Sequence, residues 1–139
     1  MTYNQTEFGG LMKQEELDAL NDLKRLFPTM ACGEVQMLKE QLIDAKSLYN
    51  PRKTQKIRQM LPKLEHLKKQ SVLFGYPLVS DIISHFEGIL QKVETVSESE
   101  VTTLYNDILL LQEVLWKKIS GDGGEKGRKI LNRLIRISG

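Results

Sequence analysis

The chain has few cysteines and histidines, which build disulfides and metal sites, and it has no long apolar run of the kind that spans a membrane. It contains one cysteine, Cys32, and two histidines, His66 and His85, in 139 residues. A single cysteine excludes an internal disulfide and is typical of a reducing compartment, and the three residues are too far apart in sequence to suggest a zinc site. No apolar run approaches the roughly 20 residues of a membrane span, and the N-terminus does not have the pattern of a secretion signal. We therefore expect a cytoplasmic protein with no metal, no cofactor and no membrane partner.

Motifs that indicate catalysis are also missing. The sequence has no paired carboxylates, no Ser-His-Asp or Cys-His set and no phosphate-binding loop. The stretch GDGGEKG at 121–127 is rich in glycine. However, it lacks both the preceding strand and the Gly-Lys-Ser/Thr ending of a P-loop. We interpret residues 120–127 as a flexible glycine-rich linker, and we expect that the protein is not an enzyme.

Basic residues, in contrast, are concentrated in two segments. Residues 52–69 carry seven lysines and arginines against Glu65 alone. Residues 115–139 carry seven against two acidic residues, although the formal net charge of the whole chain is only +2. Both segments favour an acidic partner, and the simpler interpretation of each is a solvated helix face.

Apolar residues recur at helical spacing along most of the chain, and no segment alternates as a strand does. The apolar stripes run over residues 17–27, 35–45, 57–74, 78–93 and 101–119, with a further short stripe at 130–137. They predict a single all-α domain over residues 1–139. Within it we expect an antiparallel four-helix bundle over about residues 32–119, an additional N-terminal helix, and a short C-terminal helix in the basic segment 128–139.

Prolines, a glycine and serines mark the expected helix ends. Pro28 is expected to end the first helix. Pro62 either kinks the third helix or lies near its start, and we expect the kink because the apolar stripe continues on both sides. Gly75 is expected to end that third helix. Ser97 or Ser99 is expected to cap the fifth helix, whose first turn contains the complementary charge of Glu100.

The two histidines take different positions on their helices. At about 100° per residue, His66 falls opposite the apolar arc of its helix and is expected to face solvent on the same side as Lys63 and Lys69. A cationic helix face suits an imidazole nucleophile that meets an anionic phosphoryl donor, whereas the simpler interpretation is a solvated surface histidine. His85 falls at the edge of a buried face, where we expect it to have a hydrogen-bond partner.

The segment LKKQSVLFGYPLVSDIISHFE at 67–87 resembles histidine-containing phosphotransfer (HPt) domains. These domains are cytoplasmic four-helix bundles of two-component phosphorelays. Their signature helix reads His-x-Leu-Lys-Gly-Ser/Ala, with a second glycine ten residues after the histidine. Leu67 and Lys68 match the Leu-Lys pair, Gly75 matches the second glycine, and HFE at 85–87 is similar to the end of the following helix. The resemblance covers about residues 32–119, mostly as a helix pattern.

Two registers of this resemblance are open. Anchoring on Gly75 puts Glu65 at the phospho-acceptor position and Lys69 at the position of the family's glycine. This register implies a degenerate domain that docks its partner without passing phosphate. Anchoring on His66 instead matches Lys69 to the family's lysine and Ser71 to its serine, and implies an active phosphorelay intermediate. In that register Lys68 replaces the family's leucine and Gln70 replaces its glycine.

The resemblance implies a signalling module that docks a response-regulator receiver domain or a histidine kinase, with or without phosphotransfer. It makes His66 the candidate phospho-acceptor, and its candidate partner-binding residues are Glu65, Lys63, Lys69, Gln70 and Gly75. A helical adaptor unrelated to phosphorelays is an alternative. So is a nucleic-acid-binding protein that uses the basic third helix and tail. Nucleic acid is disfavoured because the basic segments lack interleaved aromatics, and because core packing would explain Trp116, the only tryptophan.

Overall fold

The computed structural model describes residues 13–138, with side chains through Leu134. The N-terminal segment, where we expect no secretion signal, lies outside the described residues. The described part of the chain is all-α and contains no strand, which confirms the predicted all-α class. Its helices are α1 (Gln14–Lys46), α2 (Arg52–Arg58), α3 (Leu61–Leu73), α4 (Pro77–Lys92), α5 (Glu98–Trp116) and α6 (Gly124–Ser138). None of these described helices combines the length and the apolar character that crossing a membrane requires.

α1 continues through Pro28, so the prediction that this proline ends the first helix is wrong. The buried residues of α1 are Phe27, Pro28, Ala31, Val35, Leu38, Leu42 and Ala45. Apart from the proline they recur every three or four residues, so they form one stripe that faces the core without a break. The burial of this stripe offsets the hydrogen bond that the proline removes. The expected additional N-terminal helix is therefore the first part of α1.

The third apolar stripe is divided between two helices rather than kinked. α2 ends at Arg58 and α3 begins at Leu61, which places Pro62 in the first turn of α3. A proline is tolerated there because the amide groups of a first turn have no acceptor within the helix. Ile57 and Leu64 are nevertheless both fully buried, so the stripe faces one core across the break.

The ends of α4 and α5 are held by side chains. The Ser97 hydroxyl accepts a hydrogen bond from the Glu100 amide at 3.2 Å, and the Glu100 carboxylate accepts one from the Ser97 amide at 2.8 Å. This reciprocal pair is a capping box and confirms Ser97 as the cap of α5. At the C-terminal end of α4, Arg58 donates to the carbonyl oxygens of Leu90 at 3.1 Å and Val93 at 2.6 Å. These bonds satisfy carbonyl groups that the helix itself leaves unpaired.

α4 has a central place in the packing. It contacts α3, α5 and α6, while α1 packs against α5 and α2. Phe86 of α4 and Leu104 and Ile108 of α5 are fully buried between these helices. The core begins at Phe27 and extends beyond residue 119, because Ile130 and Leu134 of α6 are also buried.

The predicted linker is shorter than expected, because α6 begins at Gly124 and includes the last four residues of the segment 120–127. The turn that leads into the helix is tight because Gly123 and Gly124 have positive φ values of 73° and 57°, a region that glycine enters without strain. The amide of Gly121 also donates to the carbonyl oxygen of Gly75 at 2.9 Å. The linker is therefore a tight turn that is bonded to the end of α3.

Candidate functional site

His66 lies on the exposed face of α3, as the helical wheel predicts. Lys63 and Lys69 are each three residues away and are also exposed. Side chains at this spacing are neighbours on a helix surface, so the imidazole lies between two ammonium groups. This arrangement gives the middle of α3 a cationic surface.

A shallow groove separates this part of α3 from α1. Glu34 and Met37 of α1 line it together with Pro62, Lys63 and His66 of α3, and its volume is about 280 Å³. Met37 keeps 57% of its side chain exposed. The imidazole therefore shares this groove with the exposed apolar side chain of Met37 and with the exposed carboxylate of Glu34, as well as with Lys63.

The cationic face of α3 continues to an apolar residue near the end of the helix. Leu73 is 66% exposed and lies seven residues after His66, which places it on the same side of the helix. We call the surface formed by Met37, Pro62, Lys63, His66, Lys69 and Leu73 the His66 face. Exposed apolar side chains with a charged surround are typical of a protein-binding surface.

Glu65, the alternative acceptor position, lies in a different groove. It is half-buried between α3 and α4, in a groove of about 760 Å³ whose lining includes Arg58, Lys68 and Glu87. The Lys68 ammonium lies 2.9 Å from the Glu87 carboxylate, and this hydrogen bond raises the pKa of Lys68. Lys68 thus points partly inward and pairs with an anionic partner on α4. The structure displays His66 and not Glu65 on the exposed face.

The remaining predicted site residues do not all lie on the exposed surface of His66. Gln70 is half-buried one turn after His66, and Ser71 is fully buried with its hydroxyl donating to the Lys68 carbonyl oxygen at 2.7 Å. Gly75 ends α3 with a positive φ of 87° and accepts the hydrogen bond from Gly121. Only Lys63 and Lys69 of the predicted partner-binding set share the exposed surface of His66.

His85 and the buried Asp107 form a polar pair. The sequence predicts that His85 has a hydrogen-bond partner but does not identify Asp107 as that partner. His85 Nδ1 lies 2.7 Å from Asp107 Oδ2, which confirms the expected hydrogen-bond partner of His85. Asp107 is fully buried, and desolvation raises the pKa of its carboxyl to about 6, although the hydrogen bond from His85 acts in the opposite direction. The available signal was the position of Asp107 in the apolar stripe of α5, between Leu104 and Leu111.

Trp116 is 79% exposed, so the expectation that core packing explains it is wrong. It is the last residue of α5, directly after the buried Leu115. One further residue turns a helix by about 100°, which carries the indole past the edge of the buried arc. Its side chain lines a pocket of about 450 Å³ together with Pro28, Thr29 and Cys32 of α1, and most of it stays exposed.

Neither a metal site nor a known relative accounts for these features. Among residues 13–138, no group of three or more His, Cys, Asp or Glu side chains is placed to hold a metal ion. Comparisons with protein-family models, curated proteins and solved structures find no match to this chain.

Proposed function

We propose that the chain is an HPt-like signalling module that docks a receiver domain or a histidine kinase of a two-component system through the His66 face. The observation that carries the proposal is the exposure of His66 between two lysines and beside the apolar side chains of Met37 and Leu73. Apolar side chains supply the buried centre of a protein interface, and the lysines favour an acidic partner. A phosphorylated receiver domain presents such an acidic surface.

The packing of the helices supports an HPt-like arrangement. Phe27 of α1 contacts Phe74 after the end of α3, with ring centroids 5.3 Å apart. Ten residues further along α1, Met37 lines a groove together with Pro62 and His66 of the first half of α3. The two helices therefore run in opposite directions, as neighbours do in an antiparallel bundle. We propose that α1, α3, α4 and α5 form the four-helix bundle of the HPt-like fold.

Phosphotransfer on His66 is the second candidate, and the exposure of the imidazole favours it. In this step an imidazole nitrogen of neutral His66 attacks the phosphorus of an aspartyl phosphate on the receiver. The N–P bond forms as the P–O bond to the aspartate breaks, and the aspartate leaves as a carboxylate. Lys63 or Lys69, one turn away on either side, would stabilise the charge of the phosphoryl group.

Docking without phosphotransfer has its own structural support. The position that HPt domains fill with glycine carries Gln70 in the His66 register, and its half-buried side chain occupies space beside the face. A larger residue at this position keeps an incoming phosphoryl donor further from the imidazole. The degenerate and the active form therefore share one docking surface and differ only in whether phosphate moves.

Binding tests the docking proposal. Receiver and histidine-kinase domains encoded in the same genome would be screened for affinity against the wild type and against Lys69→Glu and Leu73→Asp. Each substitution is expected to weaken a true partner by about tenfold or more, since charged and apolar residues near the centre of an interface dominate its energy. Lys56→Glu makes the same charge change on α2 and should leave the affinity within about twofold. Equal losses in all three variants, or no partner among these domains, would contradict the proposal.

Phosphate labelling separates the two forms. The wild type and His66→Gln would be incubated with phosphorylated receiver domains, and the phosphoryl group located by mass spectrometry under conditions that preserve phosphohistidine. The active form predicts a label on His66 that disappears in His66→Gln. A partner that binds and leaves the wild type unlabelled would establish the degenerate form. Labelling that persists in His66→Gln would remove His66 as the acceptor.

A further inference from the structure

α1 carries a second apolar stripe in addition to the buried one. Its members follow one another at intervals of three, four, three and four residues: Leu23, Leu26, Met30, Gly33 and Met37. We call these five residues the outer stripe of α1. At about 100° per residue, the outer stripe lies roughly a third of a turn from the buried stripe, so the two remain separate. A helix with two separate stripes can pack on its own core through one of them and on another helix through the second.

No helix among residues 13–138 covers the outer stripe. Its four large members are between 43% and 58% exposed, and Gly33 is exposed as well. The part of α1 before Phe27 is also exposed at nearly every residue. A helical segment of about 13 residues is only marginally stable in water unless one of its faces is packed. Because alternate intervals of three and four residues are the spacing of a seam between helices, the covering element is expected to be a helix.

The outer stripe is its own complement when two copies of α1 are placed antiparallel around Met30. Met30 then faces Met30 of the second copy, and Leu23 lies opposite Met37. Leu26 lies opposite Gly33, which has no side chain and leaves room for the leucine. Within one copy nothing requires a glycine here, because a Cβ atom on Gly33 would meet no atom within 4 Å and alanine would strengthen the helix. The approach of a leucine from a second copy gives this glycine a packing role.

The charges along α1 favour an antiparallel pair over a parallel one. Residues 14–22 carry four carboxylates and no basic side chain. A parallel pair would place the carboxylates of both copies side by side, which is repulsive. An antiparallel pair instead places this acidic segment along residues 38–46 of the other copy, where two lysines balance two carboxylates. Lys63 of α3 adds a further cation at the same end, because it lines a groove together with Met37.

We infer that two copies of this chain form an antiparallel dimer through the outer stripe of α1. The contact is isologous, with its two-fold axis at Met30, and the seam from Leu23 to Met37 is about 20 Å long. A lipid surface is a poorer occupant of the stripe, because the first turns of α1 are acidic, whereas helices that lie on membranes have basic polar faces. Self-association needs no receiver or kinase domain, so its test is separate from that of the proposed docking.

Sedimentation of the full chain measures the dimer. Between about 1 and 100 μM, the wild type is expected to form a species of twice the 16.0 kDa of one chain. Met30→Glu should raise the dissociation constant by about 100-fold or more, because two carboxylates then face each other in the seam. Ile43→Glu adds the same charge at an exposed residue of α1 outside the stripe and should change the constant by less than about threefold. Circular dichroism checks that both variants keep their helices. A wild type that stays monomeric over this range, or equal losses in the two variants, would refute the dimer.

Cysteine cross-linking of the full chain determines the orientation. In a Cys32→Ser background, Met30→Cys should form a disulfide with its own copy under mild oxidation, since the two residues face each other at the two-fold axis. Met37→Cys alone should not, because its two copies lie about 20 Å apart along the seam. An equal mixture of Leu23→Cys and Met37→Cys should cross-link, because these positions lie opposite each other. Self cross-linking of Met37→Cys as fast as that of Met30→Cys would indicate a parallel pair and overturn the assignment.

Discussion

Substitution of Asp107 by asparagine is expected to make the protein less sensitive to pH and, above pH 6, more stable relative to the wild type. Asparagine keeps an oxygen that accepts the hydrogen bond from His85, but it does not ionise. The carboxyl of Asp107 has a pKa of about 6 in the folded chain against an ordinary value of 3.8. The folded state therefore holds this proton more tightly than the unfolded state does.

The direction of the pH effect follows from that difference. Below about pH 4 the carboxyl is protonated in both states, and the stabilising effect of the tighter proton binding is fully present. As the pH rises through about 6 the folded chain loses the proton and this stabilisation disappears. A difference of about two pKa units corresponds to roughly 3 kcal/mol. Relative to Asp107→Asn, the wild type should lose about this amount between pH 4 and pH 7.

Urea unfolding of both proteins at a series of pH values measures this difference. His85→Leu supplies a second comparison, because it removes the hydrogen bond that lowers the pKa of Asp107. The total drop in stability with rising pH should be larger and should continue to higher pH in His85→Leu than in the wild type, and should vanish in His85→Leu/Asp107→Asn. A difference between the wild type and Asp107→Asn that stays constant from pH 4 to pH 7 would show that the buried carboxyl does not titrate in this range.

Substitution of Gly127 by alanine should release α6 from the rest of the protein. A Cβ atom on Gly127 would clash with the carbonyl oxygen of Asp122 and would lie 3.3 Å from a methyl group of Leu78. The clash is with a backbone atom, so the turn before α6 has to move. We expect a loss of about 2–3 kcal/mol in the free energy of unfolding. Burial of Ile130 and Leu134 should be lost with it, which increased proteolysis after Lys126 or Arg128 would report.

Gly33 provides the matched control. It lies in the middle of α1, and a Cβ atom there would meet no atom within 4 Å. Alanine is the better helix former, so Gly33→Ala should raise the stability by about 0.5–1 kcal/mol. If Gly127→Ala were as stable as Gly33→Ala, the close approach of the Asp122 carbonyl oxygen would not be a constraint on α6.

Local sequence rules were sufficient where a feature depends on one helix alone. The apolar stripes predict the helical class, the period of 3.6 residues places His66 outside, and Ser97 with Glu100 predicts the start of α5. The rule for proline failed at Pro28 because burial of the α1 stripe outweighs the loss of one hydrogen bond. Burial depends on partners that are distant in sequence, and a local rule cannot weigh it.

The candidate site, too, was predictable only where a feature depends on one helix alone. The exposure of His66 and of its flanking lysines follows from the helical wheel. The pairing of His85 with Asp107, 22 residues later, requires α4 and α5 to be packed in a known rotation. The burial of Ile130 and Leu134 requires the position of α6, which the hydrogen bond between Gly121 and Gly75 helps to hold. These features depend on tertiary packing, and no spacing along the chain encodes them.

Pro28 has a consequence for the motions of α1. The helix lacks one backbone hydrogen bond at this position, since proline has no amide hydrogen to donate to the carbonyl of Lys24. Before it, nearly every residue from Gln14 to Leu26 is exposed, whereas the stripe that begins at Phe27 is buried. Cooperative opening spreads through hydrogen bonds and buried contacts. The row of helix hydrogen bonds is interrupted at Pro28, and the residues before it have few buried contacts. The first three turns of α1 can therefore unwind and reform as a separate unit while the remainder of the helix stays closed.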